Sequence, residues 1–342
     1  MNVPEKHSHF PACFVELPPY SEGRRAAFYL AAEEYIADTL PAGSYFFTWQ
    51  LGPTVVMGRN QVAHQEVNLD YCRREGIDVI RRRSGGGAIY ADEQNIMTSL
   101  ITEGCPVEDL FEEYAQTVAG ALCQLGAPAK VSGRNDIVLA DEHSSKVCGN
   151  AFYHKPQRNI AHGTMLYDSN LVAMTKALHP DDMKLAAKGV KSVRSRVGFL
   201  KDYLSFDVGT LRQRLRMLLT DSTIRLTYED LRQIEQLEQR YYEPEYFYGS
   251  SAHADVERKA RIEGCGSLEL YLSLQGTLIN EVVLRGDFFD FGDAQDSFRK
   301  AFVGLPFTTD SIGQAIREHH PERTIRGLSS EDLETLLMKG SP

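Results

Sequence analysis

The chain has 342 residues, 42% of them hydrophobic and 25% charged, ordinary proportions for a globular protein long enough to hold two domains. Its formal charge of −10 excludes general affinity for nucleic acid, which needs a dense basic surface, so any basic site must be local. No run of about 18 apolar residues is available to span a membrane, and the opening "MNVPEKHSHFPACF" lacks the basic-then-apolar order of a secretory signal. The six cysteines, at 13, 72, 105, 123, 148 and 265, form no C-x-x-C pair, so reduced thiols in a cytoplasmic protein are expected.

In chain order, residues 24–40 place Phe28, Ala31, Ala32, Tyr35, Ile36 and Thr39 on one face at helical spacing, which predicts an amphipathic helix. "YFFTWQ" and "TVVMG", separated by Gly52-Pro53, read as strand, turn, strand. A short helix over 68–75 and a strand at "IDVIRR" lead into "RRRSGGG". "AIYADEQNIMTSLI" is strand-like with a turn at 92–94, and Val107, Leu110, Phe111, Tyr114, Val118 and Leu122 mark a second long helix. Strands follow at "DIVLA", "KVCGNAFY" and "HGTMLY". Helices and strands mix without a βαβ period, so the expectation is an α+β fold with a mixed, mostly antiparallel sheet.

From about residue 206 the texture changes. "TLRQRLRMLLTD" and "TYEDLRQIEQLEQRYY" are polar helices, and Leu268, Leu270, Leu272 and Leu274 alternate before a Gln275-Gly276 hairpin turn. Two further helices, near 294–302 and at "SSEDLETLLMKG", close the chain, the last capped by Ser329 or Ser330. Two domains are expected, 1–205 and a small α+β unit over 206–342.

Four stretches can carry chemistry. Three glycines at 85–87 remove every Cβ, letting backbone N–H groups face an anion, and Arg81, Arg82 and Arg83 can add bidentate contacts; a tight turn with solvated arginines is the alternative. The loop is neither a P-loop nor G-x-G-x-x-G. Lys146 enters a strand ahead of Gly149 and is either a fixed cation aimed into a pocket or a solvated turn lysine. Asn135 and Asp136 are turn residues or contacts to a nucleotide or Mg²⁺, and His162 is a site residue or a structural histidine. Residues 184–201 hold Lys184, Lys188, Lys191, Arg194, Arg196 and Lys201 with no acid, as a linker or as a loop closing over phosphate.

In order, "RRRSGGGAIY", "GRNDI", "KVCGNA", "HGTMLYD" and "KLAAKGVKSVRSRV" resemble the motif series of lipoate–protein ligases, of the biotin/lipoyl ligase superfamily, over residues 20–205. The C-terminal part is similar to the accessory domain of the long-form ligases. The resemblance implies a class II synthetase-like catalytic domain that activates lipoate with Mg-ATP to lipoyl-AMP. The lipoyl group then passes to a lysine of apo lipoyl domains, in E2 subunits or the glycine cleavage H protein. It further implies that Arg83, Ser84, Gly85, Gly86, Gly87, Ala88 and Tyr90, with Asn135, Asp136, Gly149, Ala151, His162, Gly163 and Thr164, line the lipoate and adenylate pocket. Lys146 would bridge carboxylate and α-phosphate, and Asp136 would be the metal contact. Lys188, Gly189, Lys191, Ser192, Val193 and Arg194 would form a loop over the adenylate, keeping water from a hydrolysable anhydride.

Two departures stand out. The family commonly has histidine where this chain has Ala91 and Ala161, and a coupled loss is expected if the two positions face one another. Related octanoyltransferases use a cysteine nucleophile and no ATP; their cysteine lies near "GRNDI", which has none here, leaving Cys148 as the thiol to test. The "GRGRxxR" loop of biotin ligases is absent. A non-catalytic lipoyl-domain binding protein is the remaining alternative, against which stand Arg83, the glycines, Asn135 and Lys146.

Overall fold

The computed structural model describes residues 12–103, 107–133, 135–178, 196–248 and 254–338. An eight-stranded mixed sheet forms its centre, in the order β11-β1-β2-β6-β10-β9-β8-β7. Its strands are β1 (Ala12–Glu16), β2 (Tyr45–Trp49), β6 (Asn95–Glu103), β7 (Ala129–Ser132), β8 (Asp136–Leu139), β9 (Lys146–Lys155), β10 (Arg158–Leu166) and β11 (Thr220–Arg225). Only β1 pairs in parallel, with β2 and β11; the other pairs are antiparallel, as the sequence predicts. A second sheet, β4-β3-β5, joins β3 (Thr54–Met57), β4 (Asp78–Arg81) and β5 (Ile89–Ala91). The strands on either side of Gly52-Pro53 therefore belong to different sheets, and that turn is a crossover rather than a hairpin.

Helix α1 (Ala26–Thr39) covers one face of the large sheet, and α4 (Val107–Leu125) with α6 (Val208–Leu219) covers the other. The amphipathic expectation for α1 fails. Its second side is covered by α7 (Tyr228–Glu238), so the helix is buried almost all round, and Glu33 and Glu34 are buried with it. Buried carboxylates must be hydrogen-bonded or paired, which marks both as partners of something. The short helices α2 (Ala63–Glu66), α3 (Leu69–Glu75) and α5 (Leu171–Ala177) pack beside the small sheet. Asn68 caps α3 by accepting from the Tyr71 amide at 3.0 Å.

The division expected after residue 205 falls ahead of elements that belong to the first body. Leu211, Leu215 and Leu219 of α6 sit in the core of the large sheet, and β11 extends that sheet along β1. β11 is largely exposed and polar, so it carries little alternation to read. A separate core begins with β12 (Val256–Ile262), β13 (Gly266–Gln275) and β14 (Leu278–Gly286), an antiparallel sheet packed by α9 (Ala294–Phe302), α10 (Thr309–His319) and α11 (Ser330–Met338). The alternating leucines of β13 fill that core, and Ser329 caps α11 by accepting from the Asp332 amide. Helix α10 goes beyond the two closing helices expected: its apolar face is narrow, Ile312, Ala315 and Ile316, with Thr308 as its cap. The last described element before that sheet, α8 (Pro244–Tyr248), packs on the first body through Tyr246 and Phe247.

Candidate active site

The three arginines before the glycines have three separate tasks. Arg81 gives Nη1 to the carbonyls of Gly58, Arg59 and Gln61 at 2.7–2.9 Å, and Nε and Nη2 to Phe247 O. Arg82 gives Nη1 to Val56 O, Nη2 to Gly85 O and Gly87 O, and Nε to Ser84 Oγ at 2.8 Å. Both guanidiniums are buried, and desolvation pulls both below the ordinary arginine value while leaving them charged at neutral pH. They staple the loop: the donors of Arg81 go to carbonyls, which is not the anion contact expected of it, while Arg82 divides its donors between carbonyls and Ser84 and also lines a cavity beside Gly87. Arg83 turns away from the glycines, its Nε 2.7 Å from Glu34 Oε1. Burial works against its charge, but Glu34 together with Tyr241, Tyr246 and Tyr153 offsets this and holds it above the ordinary value.

Ser84 is fully buried and joins the loop to the sheet. Its hydroxyl accepts from Arg82 Nε and directs its own proton to His162 Nε2, 2.7 Å away. His162 Nδ1 lies 3.0 Å from Glu33 Oε1, which also accepts from Ser99 Oγ at 2.6 Å. Ser99 Oγ in turn accepts from Trp49 Nε1 at 2.9 Å. Every donor meets an acceptor when His162 carries its proton on Nδ1.

At a second end of the site, on the neighbouring strands β9 and β8, Lys146 Nζ is 2.7 Å from Asp136 Oδ1. Gly149 makes room for this side chain: a Cβ there would stand 2.9 Å from both Lys146 Cε and Nζ. Asn135 and Asn150 exchange bonds, each Nδ2 donating to the other's carbonyl at 2.9–3.0 Å, which fixes the turn ahead of β8. The Lys146 backbone also receives the chain after residue 195, donating to Arg196 O and accepting from Gly198 N at 2.8 Å. The predicted adenylate loop, Lys188, Gly189, Lys191, Ser192, Val193 and Arg194, lies outside the described residues.

Between these two ends lies a cavity of about 120 Å³. Leu30, Trp49, Val56, Met97 and Phe289 give it apolar walls, while His162 and Lys146 supply polar contacts. Pockets for drug-sized ligands run to roughly 300–1,000 Å³, so this one suits a slender chain with its polar head at Lys146. Of the predicted lining, Gly87, Ala88, Asn135, Gly149, Ala151, His162 and Thr164 are there, together with Lys146. Arg83 lines a neighbouring cleft with Glu34 and Tyr153, and Ser84 reaches the cavity through its bonds to His162 and Arg82. Tyr90 is buried among Val55, Met57 and Cys72. Gly163 faces the opposite side, where a Cβ would stand 2.4 Å from Asn150 Oδ1 and 3.1 Å from Cys148 Sγ. Gly85 and Gly86 meet the second body: the Gly86 amide donates to Phe288 O at 3.0 Å, so the bare anion nest expected of the loop is partly occupied by protein.

Residues 25–219 match the lipoyl protein ligase A/B catalytic domain. The chain belongs to that family. Residues 251–337 match the bacterial lipoate protein ligase C-terminus. Lipoate–protein ligase 1 of Staphylococcus aureus is 33% identical over 85% of this chain and 90% of its own, and lipoate-protein ligase LplJ of Bacillus subtilis is 32% identical over 90% and 95%. In fold the chain is similar to Plasmodium falciparum LipL1 in complex with lipoate, with a TM-score of 0.74, 17% identity, and coverage of 90% and 94%. A lipoate-protein ligase A bound with ATP aligns with a TM-score of 0.57 at 22% identity, over 69% of this chain and 98% of its own. A bipartite lipoate protein ligase from Thermoplasma acidophilum, described with its E2 lipoyl domain, aligns with a TM-score of 0.63 at 24%, over 72% and 100%.

Against the ligase family's habits, the two alanines have separate fates. Ala91 pairs with Thr54 in the small sheet and packs in the core on the α1 side. Ala161 pairs with Leu100 and Phe152 and packs on the α4 side. They do not face one another, so the coupled loss is not supported, and neither lines the cavity. Cys148 is fully buried, and burial pushes its thiol up to about 12, so it is not a thiolate nucleophile. Sequence reading missed Glu33, Trp49, Asn150 and Phe289. An acidic pair inside an apolar helix and a lone tryptophan beside a strand end were the available signals; Phe289 had none.

Proposed function

We propose that this protein is an ATP-dependent lipoate–protein ligase, acting through Lys146 at the head of the apolar cavity. The carrying observation is that juxtaposition: a slender cavity ending at a lysine held by one carboxylate, with no cysteine among the described residues that line it. Membership of the ligase family and the ATP-bound and lipoate-bound ligases of like fold support it.

Lipoate lies with its chain against Trp49, Leu30 and Met97 and its carboxylate at Lys146. A carboxylate oxygen attacks the α-phosphorus of ATP; the new C–O–P bond forms as the bond to the β-phosphate breaks, and pyrophosphate leaves. Lys146 lowers this barrier by standing between two anions that must meet. It then polarises the mixed-anhydride carbonyl. The acceptor lysine's neutral amine adds there, its proton passes to solvent, and AMP leaves as the amide forms.

Mg²⁺ fits as a companion of the nucleotide rather than as a resident ion. No cluster of three His, Cys, Asp or Glu that could hold a metal exists among the described residues, and Asp136 is the single carboxylate at the cavity head. Mg²⁺ commonly takes one or two carboxylates plus phosphates and water. When bound it would neutralise phosphate charge; Asp136 would be the carboxylate to hold it, which would leave Lys146 free to face the substrate.

The acceptors are apo lipoyl domains of E2 subunits and the glycine cleavage H protein, with lipoate or octanoate as the acid. The catalytic unit runs to about residue 248 and the accessory unit over 254–338. No helix among the described residues is long and apolar enough to cross a membrane, and the five described cysteines are free thiols, which fits work in the cytoplasm. Intact-mass measurement of apo lipoyl domain incubated with protein, lipoate and Mg-ATP should show one lipoyl adduct that requires ATP. Transfer from an acyl carrier protein without ATP would instead establish the transferase, and no adduct from either source would leave a binding protein.

A further inference from the structure

We propose that Phe289, from the accessory unit, is a specificity-determining wall of the acyl cavity; this rests on the ligase reading. The pairing of β9 with β8 stops at Gly149 opposite Asp136, so the edge of β9 beyond Asn150 has no strand on that side among the described residues. Two rings of the segment after β14, Phe289 and Phe291, stack on Phe152 of this strand. The Phe289 ring stacks on Phe152 at 5.6 Å between centroids and also faces the cavity with Trp49, Leu30 and Met97. Every other residue lining that cavity precedes residue 165, so the wall is incomplete without the accessory unit.

The docking that places the ring is built closely. Gly86 donates its amide to Phe288 O at 3.0 Å, and Gly286 donates to Asn60 O at 3.0 Å. A Cβ on Gly85 would stand 2.4 Å from Phe288 O, and one on Gly86 would stand 2.6 Å from the Phe289 ring. Two of the three consecutive glycines are thus required by this contact. Phe291 stacks on Phe152 at 5.8 Å but does not line the cavity, which separates holding the segment from shaping the pocket.

The test reads binding without turnover. Trp49 is the only tryptophan and lines the cavity, so its fluorescence reports occupancy. Octanoate, and octanoates carrying a phenyl group at carbon 3, 5 or 8, are titrated into the full chain, Phe289→Ala and Phe291→Ala. The expected result is about tenfold weaker octanoate binding to Phe289→Ala. At least one phenyl acid should gain tenfold or more relative to octanoate, with that ratio unmoved in Phe291→Ala. An unmoved ratio in Phe289→Ala, an equal shift in Phe291→Ala, or no response of the wild type to any acid overturns the proposal. If Phe289→Ala binds nothing, Phe289→Leu is read the same way, and an unchanged ratio there also overturns it. Wild-type protein that binds octanoate but releases no pyrophosphate with ATP would sink the ligase reading and leave this one standing.

Discussion

Ser84 and His162 are joined by a 2.7 Å hydrogen bond between Oγ and Nε2, and this bond ties the glycine loop to the floor of the acyl cavity. Ser84→Ala leaves both the Nε2 of His162 and the Nε of Arg82 without their partner. A buried donor left unmade costs about 1–3 kcal/mol. The unfolding free energy read from urea titration should fall by that amount, with a rise in KM for the acid exceeding the fall in kcat.

Glu33 collects the Nδ1–H of His162 and the hydroxyl of Ser99 in full burial. Glu33→Ala strands both donors and should cost about 2–4 kcal/mol. Glu33→Gln can keep the Ser99 bond through its carbonyl and should recover part of the loss. Circular dichroism melts of the two variants distinguish this from a surface role, in which they would match the wild type.

Arg82→Met should be the most damaging change in the loop. It leaves Ser84 and the carbonyls of Val56, Gly85 and Gly87 without a donor, at a cost of about 3–5 kcal/mol. Arg82→Lys cannot reproduce the planar fork and should rescue little. Fluorescence of Trp49 during denaturation reads both.

Asp290 lies beside Arg59 at 3.7 Å, with Asp293 near the same guanidinium, where the accessory unit meets the catalytic one. Burial raises its carboxyl from 3.8 to about 6. The folded state therefore holds a proton that the unfolded chain releases near pH 4. The stability this contributes is complete below pH 4 and lost as pH rises through 6, on the order of 2–3 kcal/mol. Unfolding of Asp290→Asn followed from pH 4 to 7 should lack this fall, and an unchanged pH profile would show that the carboxyl is not the titrating group.

Of the large sheet, β2, β6, β8, β9 and β10 were legible because they are apolar or alternate, whereas the edge strands β7 and β11 and the short β1 beside β11 were not, β11 being polar and exposed. Lys146, Gly149, His162 and Thr164 were legible as motif positions, and they do converge. Glu33 was hidden because a carboxylate inside an apolar helix looks like an interruption until its partners, 66 and 129 residues away, are folded against it. The arginines misled for a related reason: beside glycines they suggest an anion, yet Arg81 gives its donors to carbonyls and Arg82 divides its own between carbonyls and Ser84, partners that only the folded loop presents. Phe289 depends on a contact between two units, which no local pattern encodes.

The central claim is that Lys146 drives acyl-adenylate formation. Acid-dependent pyrophosphate release, measured with lipoate and Mg-ATP on wild type and Lys146→Met under the same conditions, tests it most directly. The wild type should release pyrophosphate and the variant should lose at least about 10²–10³-fold, with its melting temperature preserved. A Lys146→Met protein that releases pyrophosphate at the wild-type rate would contradict it.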